Sequence, residues 1–309
     1  MIDLIALRDT FRAGGLDKHA YARAMAGHHE VLAEYVALLA GSDIDAIEIA
    51  ADGIWLRSRL APILFACDPK DRGCPPMVAL NFGSYERTEF AQWCALLPKG
   101  ARIADIGANI GWFAAHSAAL DPTASVVAFE PVPTSFEFLS RTIARNGLSS
   151  RVTTENLALA DHANGLTLIV DRAIPGAASG HPTIALDHAE EIHVCTLTLD
   201  AYADAHGLHF DAIKLDVEGG ELAVLRGAAR VLQTDRPIVF CEMLRRHAKA
   251  FGYHPNDIIA LMAGHGYRCF SVSDAGLRAF PEMDEHTVET NFFFLHGDAH
   301  ASRVASAGG

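Results

Sequence analysis

The chain of 309 residues is short of positive charge, and this shortage narrows the partners that it can bind. Only 25 Lys and Arg residues stand against 38 Asp and Glu residues, which gives a formal net charge of −13. A surface of this kind repels phosphate backbones, so nucleic acid is not expected as a partner or substrate. Small neutral or cationic molecules suit the charge better.

Metal-type cysteine pairs and long apolar runs are also missing. No two cysteines have the pair spacing of a metal site, and the chain does not open with a secretory signal pattern. No apolar run approaches the ~20 residues that a membrane-spanning helix needs. We therefore expect reduced thiols, a cytoplasmic protein and no integral membrane segment. The cysteines are Cys67, Cys74, Cys94, Cys195, Cys241 and Cys269.

The most informative stretch is the decapeptide Ile103-Ala-Asp-Ile-Gly-Ala-Asn-Ile-Gly-Trp112. Its apolar run reaches Asp105, and the turn that follows contains Gly107 and Gly111, a pattern typical of strand, tight loop and helix. About 20 residues later a second apolar run ends at Glu130. In a parallel α/β sheet both strand ends lie at one edge, where nucleotide-like ligands bind. The pattern predicts that Glu130 binds a ribose diol in that crevice.

The glycine turn lacks one feature of dinucleotide-binding proteins. Their G-x-G-x-x-G fingerprint cradles a pyrophosphate, whereas only Gly107 and Gly111 are present here. Asp105 at the strand end would repel phosphate and would suit a ligand with a cationic amino-acid portion. This combination favours S-adenosylmethionine, which carries an ammonium, a sulfonium and an adenosine. The alternative is a doubly wound domain whose glycines serve only close helix packing.

Four motifs in the same order resemble the FkbM-type S-adenosylmethionine-dependent O-methyltransferase family. The similarity covers about Gly83 to Leu295 and leaves out residues 1–80. It implies a class I methyltransferase fold, an α/β Rossmann-like, doubly wound sheet of seven mostly parallel strands. It also implies methyl transfer to a hydroxyl of a small molecule or sugar, such as a secondary metabolite or glycan. The motifs are Asp105-Ile-Gly-Ala-Asn-Ile-Gly111, Phe129-Glu-Pro131, Thr198-Leu-Asp200 and Ile213-Lys-Leu-Asp-Val-Glu-Gly-Gly-Glu221.

The resemblance extends the expected cofactor site beyond the glycine turn. The family's Gly-x-Tyr-Glu element matches Gly83-Ser-Tyr-Glu86 and implies contacts with the methionine end of the cofactor. The end of the third strand, Asn156-Leu-Ala158, is expected beside the adenine ring, with the Asn156 amide reading the base edge. The complete expected cofactor set is Tyr85, Glu86, Asp105, Gly107, Asn109, Gly111, Phe129, Glu130, Pro131, Asn156, Leu157, Ala158 and Asp216.

The strand that ends at Asp216 carries the candidates for catalysis. Side chains alternate along a strand, so Lys214 and Asp216 are expected on one side, next to the turn Val217-Glu-Gly-Gly-Glu221. We expect Asp216 to be the base and Lys214 to tune or orient it, although a structural salt bridge is the alternative. Glu242, at another strand end, is an alternative base or acceptor ligand. His181, in an irregular loop, is a further candidate.

Two other functional classes stay open. A divalent-metal-assisted O-methyltransferase could use Asp216, Glu218 and Glu242 as oxygen ligands, although our primary prediction contains no metal. A non-catalytic cofactor-binding protein would keep the nucleotide crevice and lack an acceptor pocket. Family resemblance does not select the acceptor molecule.

The pattern predicts three regions along the chain. Residues 1–80 form an extension with a helix that stops at Gly41 and a β-hairpin around Ala51-Asp-Gly53. Residues 81–298 form the S-adenosylmethionine-binding domain, and residues 299–309 form a flexible tail. The apolar stripe of the N-terminal helix needs a partner surface, which makes a lid, ordinary packing or a homodimer interface the options.

Overall fold

A computed structural model describes residues 3–171, 175–181, 189–273 and 276–306 of the chain. Parts of two sequence predictions lie outside these residues. They are residues 172–174 and 182–188 of the irregular loop, and residues 307–309 of the tail.

The N-terminal extension contains two helices and a small antiparallel sheet. Asp17 accepts a hydrogen bond from the backbone N–H of Ala20 and thereby caps the longer helix. The predicted hairpin forms and gains a third strand, so the sheet order is β1-β2-β3. The elements are α1 (Leu4–Arg12), α2 (Lys18–Ala40), β1 (Ile44–Ala50), β2 (Gly53–Ser58) and β3 (Leu64–Cys67).

The remaining elements alternate between strands and helices along much of the chain. In chain order they are α3 (Pro75–Phe82), α4 (Arg87–Leu96), β4 (Arg102–Ile106), α5 (Trp112–Leu120), β5 (Ser125–Phe129), α6 (Pro133–Arg145), β6 (Val152–Glu155), β7 (Ala158–Leu159), β8 (Leu166–Asp171), β9 (Ala189–Val194), β10 (Thr196–Leu197), α7 (Leu199–His206), β11 (Ala212–Leu215), α8 (Glu221–Arg226), α9 (Ala229–Thr234), β12 (Ile238–Glu242), α10 (Arg245–Ala250), α11 (Pro255–Gly264), β13 (Tyr267–Ser273), β14 (Gly276–Ala279), β15 (Asn291–His296) and α12 (Ala301–Ser306).

The main sheet has the strand order β14-β13-β15-β12-β11-β4-β5-β6. The strands from β12 to β6 are parallel, and β15 runs antiparallel between β12 and β13. This arrangement confirms the predicted Rossmann-like, doubly wound sheet of seven mostly parallel strands. Strand β14 adds an eighth, antiparallel strand at one edge.

Both faces of the main sheet are buried, which explains the unbroken apolar runs in its strands. In β15 the side chains of Phe292 and Phe294 enter one core, and those of Phe293 and Leu295 enter the other. The alternation follows from the period of two residues along a strand. The sheet edge at which β4, β5 and β11 end is thus held rigidly between two packed layers.

The sheet of the extension packs into one of these cores rather than standing apart. Phe65 of β3 stacks on Trp112 at 4.9 Å between ring centroids, and His116 Nε2 lies 2.8 Å from Ser58 Oγ. The boundary that the sequence predicts between residues 80 and 81 falls inside α3. Strands of the extension therefore help to hold the helix that follows the glycine turn.

The two ends of the chain differ in their packing. None of the residues of α2 is buried, although Tyr35 and Leu39 touch the core. At the other end α12 forms within the segment expected as a tail, and its Val304 is buried. In the part of the chain that the structure describes, no helix combines the length and apolar character needed to cross a membrane.

Candidate functional site

A cavity of about 490 Å³ lies at the edge where β4, β5 and β11 end. Most of the site residues that the sequence predicts line this cavity, and Pro75 from the extension also contributes to its wall. Four predicted residues, Glu86, Gly111, Asn156 and Glu242, are not in the wall. The predicted residues that line it are Tyr85, Asp105, Gly107, Asn109, Phe129, Glu130, Pro131, Leu157, Ala158, His181, Lys214 and Asp216.

The two glycines of the turn have different structural roles. Gly107 has a φ of +75°, and a Cβ at this position would lie 1.7 Å from the backbone oxygen of Asp216. Gly111 has a φ of +91°, and a Cβ there would lie 2.7 Å from Leu139 Cδ1 on α6. Gly107 thus lets the ends of β4 and β11 meet at the cavity. Gly111 serves helix packing and does not face the cavity.

Glu130 is held in place by the backbone of its neighbours. Its two carboxylate oxygens accept hydrogen bonds from the N–H of Asn109 at 2.8 Å and of Val132 at 2.9 Å. Burial raises the pKa of Glu130 to about 7, although these two hydrogen bonds oppose the rise. Each oxygen accepts one bond and can accept another, so the carboxylate is preoriented toward hydroxyl donors.

Asp105 is a buried carboxylate without a hydrogen-bond partner among the described residues. It is 1% exposed, and the closest cation, Lys214 Nζ, lies 4.0 Å from Oδ1. Burial raises the pKa of Asp105 to about 6. Buried polar groups nearly always have partners, so an unpartnered carboxylate in a cavity wall suits a ligand that brings a positive charge or N–H donors.

Lys214 joins the two strand ends. Its Nζ donates hydrogen bonds to the Gly107 carbonyl at 3.0 Å and to Asp216 Oδ2 at 3.2 Å. The shared side of Lys214 and Asp216 that strand alternation predicts is therefore confirmed. Burial alone would lower the pKa of Lys214, but the charges of Asp216 and Asp105 raise it overall. The ammonium is thus positive and lies between the two carboxylates.

The turn after β11 is fixed by a residue to which the sequence analysis assigned no role. The buried carboxylate of Glu221 accepts hydrogen bonds from the N–H of Val217 at 3.2 Å and of Gly219 at 3.0 Å. The Tyr253 hydroxyl, from a distant part of the chain, donates to Glu221 at 3.0 Å. Glu221 belongs to the quoted motif, but no sequence pattern indicated Tyr253.

His181 reaches the cavity from the loop that follows β8. Its ring packs edge-on against Phe251, with 4.8 Å between the centroids. The neighbouring Ser179 donates a hydrogen bond from Oγ to the Glu218 carbonyl at 2.7 Å. The loop is thereby tied to the turn after β11, and His181 lies in the cavity wall.

Two of the predicted cofactor-binding residues, Asn156 and Glu86, form hydrogen bonds within the protein and do not line the cavity. The Asn156 amide donates to the carbonyl of Glu130 at 2.9 Å and to that of Pro131 at 3.0 Å. Its N–H groups therefore hold the Glu130 loop and do not point toward a base edge. Glu86 accepts a hydrogen bond from Asn291 Nδ2 at 3.0 Å, and burial followed by the charge of Asp216 raises its pKa to about 7.

A group of metal-ligand type lies beside the cavity. Glu218, Glu242 and His247 each place one donor atom within 4.8 Å of the others. Glu218 lines the cavity, and its Oε2 lies 3.1 Å from His247 Nδ1. The sequence analysis named Asp216 with Glu218 and Glu242 for the metal-assisted alternative and missed His247, which follows the strand that ends at Glu242. No spacing motif could have indicated it.

The sequence matches a known family profile, described as the methyltransferase FkbM domain, over residues 105–269. The chain is 30% identical over 161 residues to methyltransferase sdnD of Sordaria araneosa, covering 43% of this chain and 62% of that protein. It is 28% identical over 208 residues to the 31-O-demethyl-FK506 methyltransferase FkbM of Streptomyces tacrolimicus, covering 58% of this chain and 76% of that protein.

The chain spans about three fifths of the length of sdnD and of Methyltransferase 1 from Beauveria bassiana. Among solved structures, the methyltransferase FkbM of Methylobacillus flagellatus matches with a TM-score of 0.41 and 18% identity, over 74% of this chain and 55% of that one. The family profile covers residues 105–269 of 309, which include the glycine turn, Glu130 and the Lys214–Asp216 pair. The chain therefore belongs to the FkbM-domain methyltransferase family.

Proposed function

We propose that the protein is an S-adenosylmethionine-dependent O-methyltransferase that acts on a hydroxyl of a small molecule or sugar. The observation that carries the proposal is the pair of buried strand-end carboxylates, Asp105 and Glu130, in one cavity. Membership of the FkbM-domain family supports methyl transfer. One relative is named a 31-O-demethyl-FK506 methyltransferase, which supports oxygen as the acceptor atom in this chain.

The residues around the cavity fit this cofactor in charge and polarity. Asp105 lacks a hydrogen-bond partner among the described residues and would take the cationic amino-acid end, whereas a pyrophosphate at this position would be repelled. Glu130 would accept the ribose hydroxyls with its free lone pairs. The adenine would lie against Phe129, Pro131, Leu157 and Ala158, which form an apolar part of the wall.

The chain's own contribution to the reaction is positioning and proton transfer. When bound, the cofactor supplies an electrophilic methyl group on a sulfonium. Asp216, which lines the cavity, would accept the proton of the acceptor hydroxyl. Lys214 would orient Asp216 through the 3.2 Å hydrogen bond. Holding the hydroxyl in line removes entropy cost from the barrier, so the rigid sheet edge is itself part of the mechanism.

Calorimetry on the cofactor-free protein tests the cofactor assignment. We expect S-adenosylhomocysteine to bind and NAD to give no heat, because Asp105 stands where a dinucleotide site needs phosphate-binding backbone. Tight NAD binding would contradict the proposal. A panel of hydroxylated acceptors, assayed for methyl transfer with the same preparation, then identifies the acceptor class.

A further inference from the structure

The strongest unassigned feature is the cluster formed by Glu218, Glu242 and His247. The three side chains come from different elements, namely the turn after β11, the end of β12 and helix α10. Their donor atoms lie within 4.8 Å of one another, and His247 Nδ1 is 3.1 Å from Glu218 Oε2. The His247 side chain is 7% exposed, so its ring is fixed by packing.

The spacing of these donors agrees with metal coordination. Nitrogen and oxygen ligands lie about 2.0–2.2 Å from a divalent ion such as zinc, so neighbouring ligands are about 2.8–3.6 Å apart in octahedral or tetrahedral geometry. The 3.1 Å between Glu218 and His247 is within this range. The third donor is close enough to join them by rotation of a carboxylate.

The charges around the cluster also favour a cation. The Glu242 side chain forms no hydrogen bond or ion pair with another described residue. The negative charges of Asp216, Glu218, Glu221 and Glu86 act on its carboxylate. A carboxylate in this position lacks the positive charge that would stabilise its ionised form.

The positive charge of Arg246 opposes the binding of a cation at the cluster, but this side chain can move away. The guanidinium of Arg246 donates to His247 Nε2 at 3.1 Å. Arg246 is exposed, so it can turn toward solvent when Nδ1 binds a metal and Nε2 takes the proton.

We propose that Glu218, Glu242 and His247 bind a divalent transition-metal ion beside the cavity. One imidazole nitrogen with two carboxylates suits manganese, iron, cobalt or zinc better than magnesium or calcium, which prefer oxygen alone. Glu218 lines the cavity beside Asp216, so an ion held by Glu218 would lie next to the space for the acceptor. In a role that rests on the proposed function, an ion held there would act as a Lewis acid on the acceptor hydroxyl and lower its pKa.

The test measures metal binding in the full chain without cofactor or acceptor. After chelation and dialysis, Mn²⁺ and Zn²⁺ are titrated separately by calorimetry, with Mg²⁺ for comparison. We expect one site per chain, weaker binding of Mg²⁺, and at least about 10-fold loss of Mn²⁺ affinity in Glu242→Gln and in His247→Gln. Thermal melts of each variant show that it is folded.

A matched control separates this site from other histidines. His209 Nδ1 lies 2.8 Å from Asp235 Oδ1 at the opposite end of β11, and the pair belongs to no three-donor group among the described residues. His209→Gln should therefore leave Mn²⁺ affinity unchanged. The proposal is overturned if saturable binding is absent, or if folded Glu242→Gln and His247→Gln bind Mn²⁺ as the wild type does.

The outcome is independent of the cofactor assignment. Absence of S-adenosylhomocysteine binding would refute the proposed function and leave the metal titration intact. Methyl transfer that continues undiminished after exhaustive chelation would overturn the role of the ion at the acceptor.

Discussion

Glu130 is the single residue whose removal tests the cofactor site most directly. Replacing Glu130 by Ala should weaken S-adenosylhomocysteine binding by about 1–3 kcal/mol, because ribose hydroxyls would be buried without their charged acceptor. Calorimetry measures the change. Glu137→Ala, an exposed carboxylate on α6, is the matched control and should bind normally. An unchanged dissociation constant in Glu130→Ala would show that Glu130 is not the ribose ligand.

Substitution of Asp216 distinguishes a role in methyl transfer from a role in cofactor binding. Asp216→Asn preserves shape, so fold and cofactor affinity should be kept, whereas turnover should fall by about 10²–10⁴-fold if Asp216 is the base. Rates on a validated acceptor check this. Near-normal turnover would exclude Asp216 as the base and make Glu242 or His181 the next residue to test.

Lys214 is expected to act through Asp216. Lys214→Met should slow turnover because it removes the hydrogen-bond donor that orients Asp216. It should also lower thermal stability, since Asp105 and Asp216 would lose their nearest cation. A variant with normal melting temperature and normal rate would contradict both expectations.

At the level of elements, the contact between the ends of β4 and β11 requires Gly107. Gly107→Ala should destabilise the protein by about 2–5 kcal/mol, because it combines a left-handed conformation with a collision against the Asp216 backbone. Chemical denaturation measures the loss. Gly147→Ala is the control, since Gly147 has a φ of +66° but no atom within 4 Å of a Cβ. If the two variants lose equal stability, the collision with the Asp216 backbone costs little and the ends of β4 and β11 can separate to avoid it.

At the level of the whole molecule, the buried carboxylates make stability depend on pH. Asp105 has a folded pKa of about 6 against 3.8 in an unfolded chain, and Glu130 about 7 against 4.5. Between these values the folded state holds more protons than the unfolded state. The free energy of unfolding contributed by these groups is therefore complete below the unfolded pKa values and is lost as the pH rises through about 6 to 7.

Chemical denaturation of the cofactor-free protein at pH 5, 6, 7 and 8 tests whether the free energy of unfolding falls as the pH rises. We expect a shallower decline in Glu130→Gln than in wild type, because Gln does not titrate, with a difference of the order of 3 kcal/mol across the range. Glu137→Gln should follow the wild type. Parallel curves for Glu130→Gln and wild type would show that Glu130 does not titrate in this window.

The sequence by itself determined the main sheet and the carboxylates of its crevice. Parallel strands bring their carboxyl ends to one edge of the sheet, so the spacing of Asp105, Gly107 and Glu130 predicts that they lie close together. Strand alternation likewise places Lys214 and Asp216 together. These are local rules of backbone geometry that need no knowledge of distant contacts.

Only the tertiary structure decided how the site is supported. Gly111 packs against α6, Asn156 holds the Glu130 loop, and Tyr253 fixes Glu221. His247 likewise meets Glu218 and Glu242 only because α10 folds back over the turn after β11. Each of these contacts joins segments that are brought together by packing between layers. The periodicity of the sequence does not predict such contacts.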